Sequence, residues 1–268
     1  MRNLSKVMSK RAETYQGEEQ MRGWLEGLPE RFAGEGRVIY KGRNELREMQ
    51  ADGRRLVVKR FKRDSWIQKL ARRFVKGKAE KSFRNACRLI ECGINTPHPV
   101  GWLEVRNGAG FRTDQYYVCE YTDARPIAGQ VIDERKYDPE FMAALAGLFV
   151  TLHEKGIYFR DSNNTNIRYV RTPDGIEFEL IDINRMRFKD MGEDECFENM
   201  TKFCYPTPGF RYMLGEYVRF RGWRPDRAER GLRVKLKSDR AWDRRKSIVH
   251  PCRPHKPQGA FLGDPSEL

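Results

Sequence analysis

The sequence predicts an α+β protein of two lobes, a small β-rich N-lobe followed by a mainly helical C-lobe. Three observations point there. Short apolar and β-branched runs crowd the first half, among them RVIYKG, LREM and RRLVVKRF, with Asp52-Gly53 placed to turn one strand into the next. A stretch with helical spacing then interrupts the strands. Beyond about residue 190 the strand signals stop, and the chain becomes helical or irregular and increasingly basic. With 268 residues, the chain can bury a core of either one large domain or two packed lobes.

Taken in order, residues 1–36 read as an N-terminal extension, poorly ordered or helical, ending in the Gly-rich AGEG. Residues 37–121 form the N-lobe and residues 122–268 the C-lobe. From Ser65 apolar residues recur at helical spacing, Ile67, Leu70 and Phe74, then Phe83, Ala86, Cys87 and Ile90. Gly77 breaks this stretch and Gly93 stops it. INTPHPVGWLEV is a Pro-punctuated connection into a strand, and RTDQYYVCEY is a strand rich in aromatic and β-branched residues. Asp138-Pro139-Glu140 opens a helix, FMAALAGLFVTLHEK, which ends at Gly156. IRYV, the turn TPDG and IEFELIDI make a hairpin.

A hydrophobic share of 39% and a charged share of 34% describe a folded chain with a polar surface. No apolar run is long enough to span a bilayer, and the polar N-terminus lacks a signal-peptide apolar region, so the expected address is the cytoplasm. Six cysteines, Cys87, Cys92, Cys119, Cys196, Cys204 and Cys252, form no C-x-x-C pair, which favours reduced structural thiols over a zinc site. The net charge of +14 predicts an anionic partner: nucleic acid, phospholipid or a phosphorylated substrate.

Residues 153–167, HEKGIYFRDSNNTNI, carry the most specific chemical signal. Arg160, Asp161 and Asn166 hold the spacing of a kinase catalytic loop, with Phe159 where such loops place His. Phosphoryl transfer relies on positioning and charge neutralisation, so it needs few side chains. A strand Lys holds the inner phosphates of ATP, and a helix Glu pins that Lys. An Asp orients the acceptor hydroxyl and takes its proton, while an Asn and a second Asp hold magnesium. Lys59, directly after the apolar LVV, fits the first role. Glu80, the only acid between Asp64 and Glu91, is its partner by elimination. Asp161 fits the base, and Asn166 with Asp182 the metal ligands. Each alone reads equally well as a turn former or a surface residue; their order along the chain is what carries the signal. His153, near the end of a core helix, reads as structural. The phosphate loop expected before Lys59 reduces to Gly42 in KGRN, and a Walker A sequence is absent. YYVCEY (116–121) reads as core strand or as a linker whose backbone near Glu120 to Thr122 meets adenine.

The segments KGRN, LVVKRF, KAEKSFRNACRLIECGINTPHPVGW, LHEKGIYFRDSNNTNI and LIDINRMRF together resemble the bacterial lipopolysaccharide kinase (Kdo/WaaP) family. The resemblance runs from about Lys41 to Arg187. It implies a protein-kinase-like fold, ATP and Mg as cofactors, and an inner-core sugar of lipopolysaccharide as acceptor. It assigns Lys59 to the ATP phosphates, Asp161 to the base, and Asn166 and Asp182 to magnesium. Three departures stand out: Phe159 for His, the polar run Asn163-Asn164-Thr165, and Asn184 where protein kinases have Gly.

Residues 217–246 interleave Arg and Lys with Tyr217, Phe220, Trp223 and Trp242. That mixture suits anionic lipid headgroups or a lipid-linked or phosphorylated sugar, and nucleic acid is the weaker reading. The expectation is an ATP- and Mg-dependent phosphotransferase acting on a sugar hydroxyl, peripheral on the cytoplasmic membrane face. A protein or small-molecule kinase of the same fold, or a non-catalytic pseudokinase, are the alternatives.

Overall fold

Strand alternation shows how the N-terminal half builds its sheet. In Arg54–Arg60, Leu56 and Val58 are fully buried, while the intervening Val57 and Lys59 lie on the opposite face. The structure, a computed structural model, describes residues 9–62, 75–131, 136–202 and 207–249. The expected helical turns carrying Ile67, Leu70 and Phe74, the cysteines Cys204 and Cys252, and the Trp242 side chain lie outside the described residues. The chain divides into two compact units, the first comprising Met1–Asp123 with Asp182–Arg185, the second Ala124–Ile181 with Met186–Leu268.

The first unit is a six-stranded antiparallel sheet. Its strands are β1 (Ser9–Thr14), β2 (Arg37–Lys41), β3 (Glu45–Ala51), β4 (Arg54–Arg60), β5 (Pro99–Arg106) and β6 (Arg112–Glu120), in the spatial order β1-β5-β6-β4-β3-β2. Ala51 pairs with Arg54 across Asp52-Gly53, both at positive φ (51° and 69°), the conformation a two-residue hairpin loop requires. Residues 9–32 are not an extension but part of this unit. β1 pairs with β5, Glu13 opposite Trp102, while α1 (Glu19–Glu26) and α2 (Leu28–Arg31) lead on to β2. Met21, Leu25, Leu28 and Phe32, spaced at four, three and four residues, join Leu56, Val58, Leu103 and Tyr116 in one hydrophobic core. Each such side chain contributes about 1.5–3 kcal/mol of burial. The strand escaped prediction because SKRAET has no apolar alternation; its pairing comes from its position beside β5.

The helix α3 (Lys78–Glu91) starts after Gly77, where a Cβ would overlap Gln115 Oε1 and force that side chain to move. Gln115 Oε1 accepts from the Lys78 backbone N–H at 2.7 Å, so the helix start is tied to β6. The far end of α3 stops at Gly93, as expected.

The second unit is mainly helical. After β7 (Arg125–Pro126) and α4 (Ala128–Val131), α5 (Pro139–Glu154) opens on Asp138, whose carboxylate accepts from the N–H groups of Glu140 and Phe141 at 3.0 and 3.2 Å. Its residues Phe141, Leu145, Phe149 and Leu152 are fully buried. β8 (Ile157–Tyr158) follows. β9 (Ile167–Thr172) and β10 (Gly175–Leu180) form the expected hairpin, and β11 (Arg187–Phe188) pairs back on β8. Then come α6 (Glu193–Met200), α7 (Pro208–Phe220), which packs on α5, and α8 (Arg227–Val249). Among the described residues no helix is long and apolar enough to cross a membrane.

Candidate active site

In the first unit, Lys59 stands on β4 between cross-strand neighbours Leu46 and Tyr117. Tyr117 is buried, and burial holds its phenol well above the usual range, so this wall beside Lys59 stays uncharged. The Lys59 ammonium donates to Asp182 Oδ1 at 2.5 Å. Asp182 takes a positive φ of 54°, which Asp tolerates better than most residues, and its Oδ1 also accepts from Asn184 Nδ2 at 2.7 Å. The segment is held from α3, where Asn85 Nδ2 donates to the Ile183 carbonyl at 2.7 Å. Asn184 therefore has a task that Gly could not perform: it orients the carboxylate beside the lysine.

Glu80 does not pair with Lys59 in this structure. It sits buried in the first turn of α3, where a carboxylate is favoured by the helix dipole, and its ion-pair partner is Lys76 at 3.7 Å. The lysine's carboxylate partner is instead Asp182, 123 residues further along the chain. Elimination along the sequence found an acid on the right helix but not this long-range pair. At the end of β6, the N–H groups of Glu120 and Tyr121 are bonded to the carbonyls of His98 and Arg55 at 2.9 and 2.8 Å, so both are committed within this unit. Gly42, Arg43 and Asn44 form the tip of the β2–β3 hairpin, closed by Gly42 N–H to the Asn44 carbonyl at 3.0 Å.

In the second unit, the loop from Phe159 to Asn166 is internally stitched. The Asp161 carbonyl accepts from the Asn163 N–H at 2.7 Å and from Asn166 Nδ2 at 2.9 Å. Asn163 Oδ1 accepts from the N–H groups of Thr165 and Asn166 at 2.9 and 3.0 Å and from the Thr165 hydroxyl at 2.6 Å. The polar run is thus what gives the loop its shape, because these short side chains satisfy backbone groups that a tight turn leaves open. Asp161 and Asn166 are joined by this stitching, and both are half-buried.

The donor types suit magnesium, a hard cation that takes oxygen ligands. In the first unit both hydrogen bonds to Asp182 land on Oδ1, which leaves Oδ2 as an oxygen donor; in the second unit Asn166 spends its Nδ2 on the Asp161 carbonyl, which leaves its Oδ1. Among the described residues no cluster of three or more His, Cys, Asp and Glu side chains forms a metal cage. Magnesium held with a nucleotide needs only one or two protein ligands beside phosphate and water.

His153 is structural, as its position in α5 implied. It is buried, and that burial lowers its pKa from 6.5 to about 4, helped by the Arg221 guanidinium and opposed by its bond to Asn199. The folded value lies below the unfolded one, so on acidification the unfolded chain takes up the proton first. The His153 contribution to stability is complete above pH 6.5 and falls as pH drops from there to about 4, by roughly 3 kcal/mol in all. Urea unfolding at pH 7 and pH 5 should show this loss, and His153→Gln should flatten that part of the pH dependence. An unchanged slope in the variant would remove His153 as its source.

A strand lysine facing an aspartate after a β-hairpin, and an Arg-Asp loop closed by an Asn five residues on, define a chain of the protein-kinase-like class. Residues 25–203 match the lipopolysaccharide kinase (Kdo/WaaP) family, and the chain belongs to that family, whose members are kinases. Such membership implies ATP as the phosphoryl donor. Among solved structures the chain is similar to one described as WaaP in complex with acyl carrier protein, at 19% identity, covering 89% of this chain and 98% of that one, with a TM-score of 0.57. It is also similar to the Rio2 kinase–ADP/Mg2+–phosphoaspartate complex from Chaetomium thermophilum, at 19% identity, covering 81% and 77%, with a TM-score of 0.45. The first likeness shows the fold. No curated protein sequence matches the chain.

Proposed function

We propose that this protein transfers the γ-phosphoryl group of ATP to a sugar hydroxyl of a lipopolysaccharide inner-core precursor. The Lys59–Asp182 pair carries the proposal, because a part-buried lysine held by an aspartate is prearranged for phosphates and their counter-ion. Lys59 neutralises the inner phosphates, and Asp161 orients the acceptor hydroxyl and takes up its proton as the oxygen attacks phosphorus. The bond to the β-phosphate oxygen breaks, and ADP leaves. Asn166 and Asp182 would hold magnesium, which would screen the phosphate charges. Glu80 pairs with Lys59 only if Lys76 releases it, so we assign it a supporting role at most. The test is ADP release by the wild-type chain, with and without anionic inner-core sugars and with and without magnesium. ADP release that no core sugar accelerates would favour a different acceptor on the same fold.

We propose a lipid-linked or phosphorylated sugar as acceptor, and place the enzyme peripherally on the cytoplasmic face of the membrane. Arg233, Lys237, Arg240 and Arg244 are all exposed on α8, spaced at four, three and four residues, so they share one side of the helix. Each basic residue near an anionic leaflet contributes about 1 kcal/mol at moderate salt. Vesicle sedimentation at low salt should recover the protein with anionic lipid and not with neutral lipid, and Arg233→Glu with Lys237→Glu should weaken this binding. Equal recovery with both vesicle types removes the membrane from the account.

A further inference from the structure

The residue before Arg160 is Phe, not His, and the loop is anchored by a buried polar network. Phe159 itself is fully buried. Its two backbone groups are both engaged by one side chain, Asn199 on α6. Asn199 Nδ2 donates to the Phe159 carbonyl at 2.6 Å, and Asn199 Oδ1 accepts from the Phe159 N–H at 3.2 Å. A peptide N–H only donates and a carbonyl only accepts, so this pairing fixes which end of the amide is which. The backbone carbonyl of Asn199 accepts from the Ser162 hydroxyl at 2.6 Å. One turn-end later, Lys202 Nζ donates to the Arg160 carbonyl at 2.5 Å. The residues on both sides of Asp161 are therefore held from the C-terminal end of α6.

The anchor is itself held. Asn199 Oδ1 is an acceptor, so the second group facing it, His153 Nε2 at 3.2 Å, must carry its proton and donate. That tautomer leaves His153 Nδ1 to accept from the Tyr217 hydroxyl at 2.8 Å. Burial raises the Tyr217 phenol far above its usual range, so it remains a donor. The end of α6 is fastened in turn from α8, where the buried Lys235 donates to the Thr201 carbonyl at 2.7 Å and pairs with Asp239 at 2.7 Å.

We propose that Asn199 is a positioning residue for the kinase reaction, which with Lys202 holds the Phe159–Ser162 backbone so that Asp161 points in one direction. Asn199 touches neither nucleotide nor acceptor in this scheme; it acts through the loop. The inference rests on Asp161 as the base, but its structural half can be read without any turnover.

The experiment is hydrogen–deuterium exchange of the full chain across residues 157–168, alongside ATP turnover, for wild type, Asn199→Asp and Lys202→Met. Asn199→Asp keeps the acceptor and the size but loses the donor to the Phe159 carbonyl. Exchange in this segment should rise about tenfold in Asn199→Asp and by a smaller factor in Lys202→Met, with β4 and β6 unchanged. Displacing a reacting group by an ångström costs about a hundredfold in rate, so kcat should fall by up to that factor while KM for ATP stays close to wild type. A KM rise equal to the kcat loss, or loop exchange unaltered in both variants, overturns the assignment. If Asn199→Asp does not fold, the exposed Lys202→Met decides alone. Loop exchange that responds as stated in a chain with no ATP turnover supports the clamp and counts against the kinase reading, so the two failures are distinguishable.

Discussion

Asp161→Asn is expected to reduce phosphoryl transfer by about 10²–10⁴-fold while nucleotide binding is largely retained. The reason lies in which atoms of Asp161 the loop uses. The bonds from the Asn163 N–H and Asn166 Nδ2 land on the Asp161 carbonyl, and these two survive a change of side chain. Asn has the shape of Asp but cannot accept a proton as the acceptor oxygen attacks. Coupled measurement of ADP release with a binding titration of the same preparation checks both halves. Full activity in Asp161→Asn would sink the mechanism.

Asp182→Ala should abolish magnesium-dependent stabilisation by ATP. In the wild type, nucleotide at a hundred times its dissociation constant adds about 2.7 kcal/mol to folding stability, visible as a rise in melting temperature. Asp182→Ala removes the Lys59 partner and the acceptor of Asn184 together, and leaves a non-Gly residue at a φ of 54°. Left-handed backbone costs a residue such as Ala roughly 1–2 kcal/mol, so the variant is also expected to melt lower without ligand. Asp182→Asn isolates the charge, because Asn tolerates the same backbone and still offers an oxygen to Asn184. If Asp182→Asn keeps the wild-type melting shift with ATP and magnesium, Asp182 does not hold the metal.

Much of the fold could be read from local patterns. Asp52-Gly53 between two strands, Asp138-Pro139 before an apolar helix, and TPDG between IRYV and IEFELI are signals in which a few adjacent residues settle the geometry, and all three elements formed. What escaped was set by distant parts of the chain. β1 has a polar sequence and exists through its pairing with β5. The first-unit role of residues 9–32 was signalled only by the spacing of Met21, Leu25, Leu28 and Phe32, a stripe easily missed in a polar segment.

The site divides in the same way. Lys59, Asp161, Asn166 and Asp182 were singled out by their order along the chain, and the structure brings Lys59 to Asp182 and Asn166 to the Asp161 backbone. The partner of Lys59 was not legible, because nothing local to α3 distinguishes a buried Glu80 serving Lys76 from one serving β4. Asn199 left one trace: a polar residue among Cys196, Phe197 and Met200 on the buried side of a short helix. A buried Asn must find partners, so such an interruption marks a bond to something specific. Phe159 looked like damage to a signature. The anchoring of its backbone by Asn199 shows how the loop is held without His.

Under the proposed mechanism, Asp161 promotes transfer of phosphate from ATP to a lipopolysaccharide sugar. The most direct measurement follows labelled γ-phosphate from ATP into inner-core sugar acceptors, with wild type and Asp161→Asn side by side. The account predicts label in the acceptor with wild type and magnesium, and only background with Asp161→Asn. Equal labelling by the two chains would contradict it.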